Sequence, residues 1–308
     1  MPYLQSRRLS LKLVSCFAVL SALTACSPVR LLNALVPSND FDVQRAVPYA
    51  EGDRHEADVY VPRASADNPR GRPMVVFFYG GSWQSGSRRD YLFVGEALAS
   101  RGIVTVIPDY RLYPSTLFPG FVEDAAAAVA WAKAHAKDYG ADPERIFLMG
   151  HSAGAHIVML LVTDKHYLAA DGLETSSLAG AIGLSGPYDF LPLKDDALRS
   201  IFPASLRAAS QPINHVSGHE PPLFLGVGLS DVTVDPGNTF RFAARANEAG
   251  DSVEVKQYAG INHAMIVGSV GRPVRALSPL IKVAPVLDDV TAFIDQTSLN
   301  ASRAASAK

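Results

Sequence analysis

Short apolar runs alternate along this chain with longer helix-prone segments. Met74 to Phe78 is one continuous apolar run, Ile103 to Ile107 a second and more β-branched one, and Arg145 to Met149 a third. Ala179 to Leu184, Leu223 to Val227 and Val253 to Tyr258 continue the series. Between them, Asp90 to Arg101, Val122 to Tyr139, Ala153 to about Val162 and Asn238 to Ala249 read as helices, and Pro285 to Gln296 closes the chain as another. Apolar runs separated by helices predict an α/β fold, a mostly parallel central sheet with helices on both faces. Ala57-Asp58-Val59-Tyr60-Val61 alternates apolar and polar residues instead, as an outer strand would.

Two regions depart from this rhythm. Pro187 to Pro222 is rich in Pro, Ser and charged residues. At about 35 residues it is long for a connection between a strand and a helix. It reads as a small cap insertion (187–222) holding one or two short helices over the ends of the strands, and it is too short to be a separate domain. At the other extreme, Arg7, Arg8 and Lys12 precede a mostly apolar stretch, Leu13 to Leu23, which is too short to span a bilayer comfortably. Residues 1–25 therefore read as a signal peptide, residues 26–45 as a tether, and residues 46–300 as one domain.

The segment Leu23-Thr24-Ala25-Cys26 resembles a bacterial lipobox, in which the cysteine becomes the lipid-modified first residue. An ordinary signal peptide with an incidental cysteine is the alternative. Ser6-Arg7-Arg8-Leu9-Ser10-Leu11-Lys12 also resembles a twin-arginine export signal, with Ser10 where phenylalanine is usual. Either way the chain is expected to be exported to the cell envelope, touching a membrane only through a lipid anchor at Cys26. Cys16 and Cys26 are the only cysteines, so nothing downstream can form an internal disulfide, a thiolate nucleophile or a thiol metal site.

Hydrophobic residues make up 48% and charged residues 19%, enough for a sizeable core and far from a disordered composition. The formal charge is −2, and removal of residues 1–25 makes the remainder more acidic, because Arg7, Arg8 and Lys12 go with them. With no long basic run, nucleic acid is excluded as an expected partner.

The chemistry centres on Gly150-His151-Ser152-Ala153-Gly154, which follows the run ending at Met149 and opens an alanine-rich helix. Strand, G-x-S-x-G and helix in that order are what a nucleophile elbow requires: a sharp turn lifts the serine hydroxyl clear of the sheet. The pattern means little without a base and a carboxylate to hold that base in its tautomer. Asp231 lies just beyond the run at Leu223–Val227, where ligands of such sheets gather. His263 lies just beyond Val253–Tyr258, and Asp235 is the rival acid.

Of the eight histidines, His263 alone has both this order and this position. His151 reads as a hydrogen-bonding support and His156 as a packed or capping residue; His215 and His219 sit in the insertion. Upstream, Tyr79-Gly80-Gly81-Ser82-Trp83 leaves its strand through a double glycine. Such a loop suits backbone N–H groups turned toward an oxyanion, with Ala153 supplying another.

Tyr79-Gly80-Gly81-Ser82-Trp83, Asp109-Tyr110-Arg111-Leu112-Tyr113-Pro114, Phe118-Pro119 and Gly150-His151-Ser152-Ala153-Gly154-Ala155-His156 together resemble the α/β-hydrolase esterases of the hormone-sensitive-lipase and feruloyl-esterase-like groups. With the Asp231 and His263 segments, the resemblance spans most of residues 45–296. It implies an α/β-hydrolase fold and a serine esterase acting on a small-molecule ester. Ser152, His263 and Asp231 would be nucleophile, base and acid, and Gly81, Ser82 and Ala153 the oxyanion donors. No metal or organic cofactor is implied.

The chain departs from the usual His-Gly-Gly-Gly loop, with Tyr79 for the histidine and Ser82 for the third glycine. Asp109 and Arg111 read as structural, an ion pair or backbone anchor. The Gly-Gly-Ser-Trp loop is also similar to that of kynurenine-formamidase-like enzymes, which keeps an amidase or peptidase with the same triad open. A non-catalytic binding protein on the same fold is a third reading. The insertion shows no long apolar lid helix, which gives no support to a lipase working at interfaces.

Overall fold

The computed structural model describes residues 28–63 and 71–306. Eight strands form one sheet: β1 (Phe41–Pro48), β2 (Glu56–Pro62), β3 (Arg72–Phe78), β4 (Val104–Pro108), β5 (Ala141–His151), β6 (Gly180–Leu184), β7 (Leu223–Gly228) and β8 (Val253–Tyr258). Their spatial order is β1-β2-β4-β3-β5-β6-β7-β8. The first two joints are antiparallel and every later one is parallel. β4, β6 and β7 are buried along their whole length. That is why they read in the sequence as continuous apolar runs rather than as alternation.

Ten helices accompany the sheet among the described residues: α1 (Pro28–Ala34), α2 (Leu92–Ala99), α3 (Gly120–Ala134), α4 (Ala153–Thr163), α5 (His166–Ala170), α6 (Asp196–Ile201), α7 (Gly237–Ala249), α8 (His263–Gly268), α9 (Arg272–Arg275) and α10 (Val286–Ser306). Parallel crossovers are right-handed. The crossover from β3 through α2 to β4 steps one way along the sheet, and that from β5 through α4 to β6 steps the other, so α2 and α4 cover opposite faces. α10 packs against α2, and α3 packs against α4. Every residue of α4 is buried. The fold class is the expected one.

Two expectations at the start of the chain change. Residues 28–45, read as a tether, contain α1 and the first part of β1. β1 pairs antiparallel with β2, so Ala57–Val61 lies inside the sheet edge rather than on it. β1 was hard to see because an edge strand with one exposed side carries few apolar residues; its backbone pairing leaves no mark in the sequence.

Asp58 was equally misleading. The polar member of the β2 alternation is fully buried and accepts hydrogen bonds from Arg45 Nη1, the Ala46 amide and Arg88 Nε at 2.9–3.0 Å. A buried carboxylate is tolerated because it is paired and its lone pairs are filled.

The insertion holds α6 and two short 3₁₀ turns, Ala204–Leu206 and Pro212–His215. Phe202 at the end of α6 packs among Trp83, Phe118, Phe121, His156 and Phe190. These aromatic contacts fix the cap to the body of the domain above the C-terminal ends of the strands.

Candidate active site

β5 ends at His151, and Ser152 stands between it and α4 with φ 56° and ψ −122°. A non-glycine residue there is strained and persists only where its surroundings hold it. They do: the Ser152 amide donates to the Leu184 carbonyl on β6, and its own carbonyl accepts from the His156 amide. The flanking glycines are steric requirements. A Cβ on Gly154 would stand 2.0 Å from the Phe78 carbonyl oxygen, and one on Gly150 would stand 2.3 Å from that of Gly154.

Ser152 Oγ lies 2.8 Å from His263 Nε2, and His263 Nδ1 lies 2.7 Å from Asp231 Oδ2. His263 opens α8, whose first turn is capped by the Asn262 side chain accepting from the Met265 amide. An Asn ahead of a helix start is a readable capping signal.

Asp231 follows β7, and its Oδ1 accepts from the amides of Thr233 and Val234, both at 2.9 Å. Burial alone would raise the Asp231 carboxyl, but the hydrogen bonds from His263, Val234 and Thr233 outweigh it and hold the group below the usual carboxylate range. The rival acid, Asp235, is largely exposed; it accepts from the Gly237 amide and lies 3.9 Å from Arg241.

His151 supports this chain from the side. Its Nε2–H donates to the His263 carbonyl at 2.9 Å, and its ring lies 4.8 Å from the His263 ring. Burial, reinforced by His263, lowers its pKa to about 3, so it remains neutral. His156 donates from Nε2 to the Ser210 carbonyl at 2.7 Å and meets Trp83 edge to face. Burial lowers its pKa to about 4. It joins the α4 helix to the cap. His215 instead pairs with Asp164 and the Ala209 carbonyl.

The loop after β3 passes directly over the elbow: a Cβ on Gly80 would fall 2.9 Å from that of Ser152. Gly81 has φ 136°, and its carbonyl accepts from the amides of Gln84 and Ser85. Ser82 and Trp83 also take positive φ, at 52° and 59°.

Tyr79 explains how the loop is held without the usual histidine. Its ring stacks between Tyr91 and Tyr110, and its hydroxyl donates to Asp109 Oδ1 at 2.7 Å while accepting from Arg54 Nη2 at 2.7 Å. Arg54 also donates to the Gly86 carbonyl, and Tyr110 to the Tyr79 carbonyl. Beneath them Arg88 pairs with Asp58 and Asp109. Asp109 and Arg111 are thus both anchors, but not to each other, since Arg111 pairs with Asp124. This network was missed in the sequence because its members are scattered from Arg54 to Asp109.

Ser152 opens onto two hollows. One, of about 380 Å³, is lined by Val29, the Gly80–Gly86 loop, Tyr91, His151, Thr233 and His263. The other, of about 430 Å³, lies under the cap among Trp83, Phe190, Leu191, Leu193 and Leu198, with Asp189 and Arg241 at its edge. A larger hollow of about 540 Å³, around Ser176, Pro222 and Phe293, lies at the opposite ends of the strands and contains none of these residues.

The model of the BD-FAE family matches residues 57–245. The chain belongs to that family. A probable isoprenylcysteine alpha-carbonyl methylesterase from Arabidopsis thaliana is 31% identical over 244 residues, covering 72% of this chain and 51% of the relative. A kynurenine formamidase from Salmo salar is 32% identical over 151 residues, 48% of this chain and 47% of the relative. The chain thus spans about half the length of these curated relatives. Among solved structures, Thermogutta terrifontis esterase 2 phosphoramylated by tabun is 25% identical with a TM-score of 0.66, covering 84% of this chain and 96% of that one. The likeness accords with the α/β-hydrolase architecture described above.

Proposed function

We propose that this protein is a serine hydrolase that cleaves carboxylic esters through an acyl-enzyme on Ser152. The observation that carries the reading is the unbroken hydrogen-bonded line Ser152 Oγ–His263–Asp231, with contacts of 2.8 and 2.7 Å. His263 Nε2 takes the serine proton as Oγ attacks the carbonyl carbon, and returns it to the departing alcohol oxygen as the ester C–O bond breaks. A water then gives its proton to the same nitrogen and its hydroxyl to the acyl carbon; the acyl C–Oγ bond breaks, Nε2 returns the proton to Oγ, and the acid leaves. Asp231 stays ionised, fixes the tautomer with the proton on Nδ1, and stabilises the imidazolium. The amides of Gly81, Ser82 and Ala153 receive the negative oxygen of each tetrahedral intermediate. Relatives and structural neighbours named as esterases support this assignment.

Formamides are the second substrate class to examine, because the Gly-Gly-Ser-Trp loop occurs here and the formamidase relative matches about half of the chain. The decisive experiment uses Ser152→Ala. It should keep its far-ultraviolet circular dichroism, lose about a millionfold in kcat on a short-chain aryl ester, and fail to react with a fluorophosphonate probe that labels the unsubstituted protein. Full activity in the folded variant would sink the assignment, and parallel rates on an aryl formamide decide between the two bonds.

The reading extends to location. Cys26, outside the described residues, would be acylated after removal of residues 1–25, leaving the domain tethered in the cell envelope. The lipobox-like Leu23-Thr24-Ala25-Cys26 behind a positive and then apolar leader supports this. Metabolic labelling with an alkynyl fatty acid should mark the chain and should not mark Cys26→Ser.

A further inference from the structure

We propose that the mouth of the Ser152 site faces the membrane that holds Cys26, so that the ester is taken from an amphiphile lying at the lipid surface. This rests on the esterase reading and on the anchor proposed above. Cys26 lies three positions before Val29, and three residue steps span at most about 11 Å even when fully extended. Val29 lines the same hollow as Ser152, His151 and His263. A chain acylated at Cys26 therefore enters the bilayer within one short extended segment of the site.

The helix between anchor and site is fastened to the domain. Asn33 Nδ2 donates to the carbonyls of Arg89 and Asp90, and Asn33 Oδ1 accepts from the Phe93 amide. Leu32 and Val36 pack on the core. That leaves Leu31 on the helix and Leu35 in the turn just after it, 54% and 63% exposed.

Exposed apolar residues stand on the cap side too, among the charged Lys194, Asp195 and Arg241. Val232 is 97% exposed and adjoins Thr233, which lines both hollows; Leu191, on the cap hollow, is 39% exposed. Single exposed leucines need no explanation. Here Leu31 stands two positions after Val29, which lines the first hollow, Val232 adjoins Thr233, which lines both, and Leu191 lines the cap hollow.

A lipid anchor holds the chain at the bilayer without fixing which face turns toward it. Leu31, Leu35, Val232 and Leu191 supply that orientation as shallow insertions, and the exposed Arg30 next to Leu31 suits an anionic surface. No helix among the described residues is long and apolar enough to cross a membrane, so this is contact with one leaflet. The apolar wall of the cap hollow, Phe190, Leu193 and Leu198, then receives the hydrocarbon part of the substrate.

The test uses the full chain exported with its own leader, so that the Cys26 thiol is acylated and Cys16 is lost. Val232→Cys then offers one reactive thiol for a polarity-sensitive fluorophore. In vesicles of phosphatidylethanolamine and phosphatidylglycerol carrying a doxyl-quencher lipid, the label at position 232 should brighten and be quenched. A label introduced by Ser176→Cys, at the opposite ends of the strands, should do neither. The same contrast is expected in a Ser152→Ala background, which separates orientation from turnover.

Equal quenching at both positions, no quenching at position 232, or an intact mass without an acyl group on Cys26 would overturn the proposal. So would a brightened label at position 232 in vesicle-free detergent solution together with a doubled mass, which would put a second copy on this face. For activity, Cys26→Ser should keep its rate on a soluble short-chain ester. It should lose roughly 100-fold on an ester embedded in the vesicles, the scale of gains from tethering. Equal loss on both esters would count against the orientation. Absence of turnover by the unsubstituted chain on either ester would sink the esterase reading, with the quenching contrast still deciding the orientation.

Discussion

Two buried polar clusters lie side by side beneath the loop after β3, and they are built to opposite ends. Around Arg88, the side chains of Asp58 and Asp109 are 1% and 6% exposed, and every charge meets a partner of opposite sign. In the triad the Asp231 side chain is fully buried, His263 is 16% exposed, and Ser152 faces two hollows. The first network is closed and can only hold shape. The second is closed at its acid end and open at its hydroxyl end, which is the asymmetry that proton transfer to an incoming substrate needs. Reactivity here comes from where the pairing stops, not from burial as such.

Substitutions can pull this contrast apart. The largest effect is expected at Asp231→Asn, which keeps the shape but favours the wrong histidine tautomer: kcat on an aryl ester should fall by about 10⁴-fold with little change in unfolding midpoint. The same change at Asp235 should leave kcat within about twofold, as for a surface position. An inverse result would move the acid role to Asp235.

At Arg88 the balance should reverse. Arg88→Met removes the buried cation shared by Asp58 and Asp109 and leaves them only the more exposed Arg45 and Arg54, which should cost about 3 kcal/mol in urea unfolding. Ester hydrolysis by the fraction still folded should persist; unchanged stability would mean the network is not what holds the loop.

His156 gives a pH signature. Its folded-state pKa, about 4, lies below the ordinary 6.5, because the fold accepts only the neutral ring. Between those values the unfolded chain binds the additional proton. Stability should therefore be intact above pH 6.5 and fall as the pH drops toward 4, by about 1.4 kcal/mol per unit. His156→Gln keeps a donor for the Ser210 carbonyl and removes the titration, so its slope in that window should flatten by that amount. His151, with its pKa lowered to about 3, adds a like slope over the same window and continues the loss toward pH 3 in both proteins.

The smallest effect belongs to the link between the clusters. Tyr79→Phe removes the hydroxyl shared by Asp109 and Arg54, and should cost about 1–2 kcal/mol of stability. It should also lower kcat severalfold at nearly constant KM, since the loop it steadies reaches transition-state charge more than ground-state substrate. An unchanged kcat would separate the loop's anchoring from the oxyanion site.

The reacting residues were legible for a positional reason. Ser152 and Asp231 each follow a strand with a strong apolar run, His263 follows the β-prone segment Val253–Tyr258, and the C-terminal ends of parallel strands converge on one edge of the sheet. The anchors were not. Asp58 looks like an outward-facing strand residue until β1 covers it, and Arg54 and Arg88 look like surface charges until Tyr79 and Asp109 are folded between them. The structured start of the chain stayed hidden because α1 is short and β1 is half exposed.

By itself, then, the sequence determined the alternation of strand and helix, the strained elbow that its glycines permit, and the order of serine, acid and histidine. Those properties are local or follow chain order. Only the tertiary structure decided which carboxylate meets His263, what replaces the missing histidine of the loop, and that Val29 borders the serine. Each depends on residues far apart in the chain, brought within a few ångströms by the packing of a whole sheet.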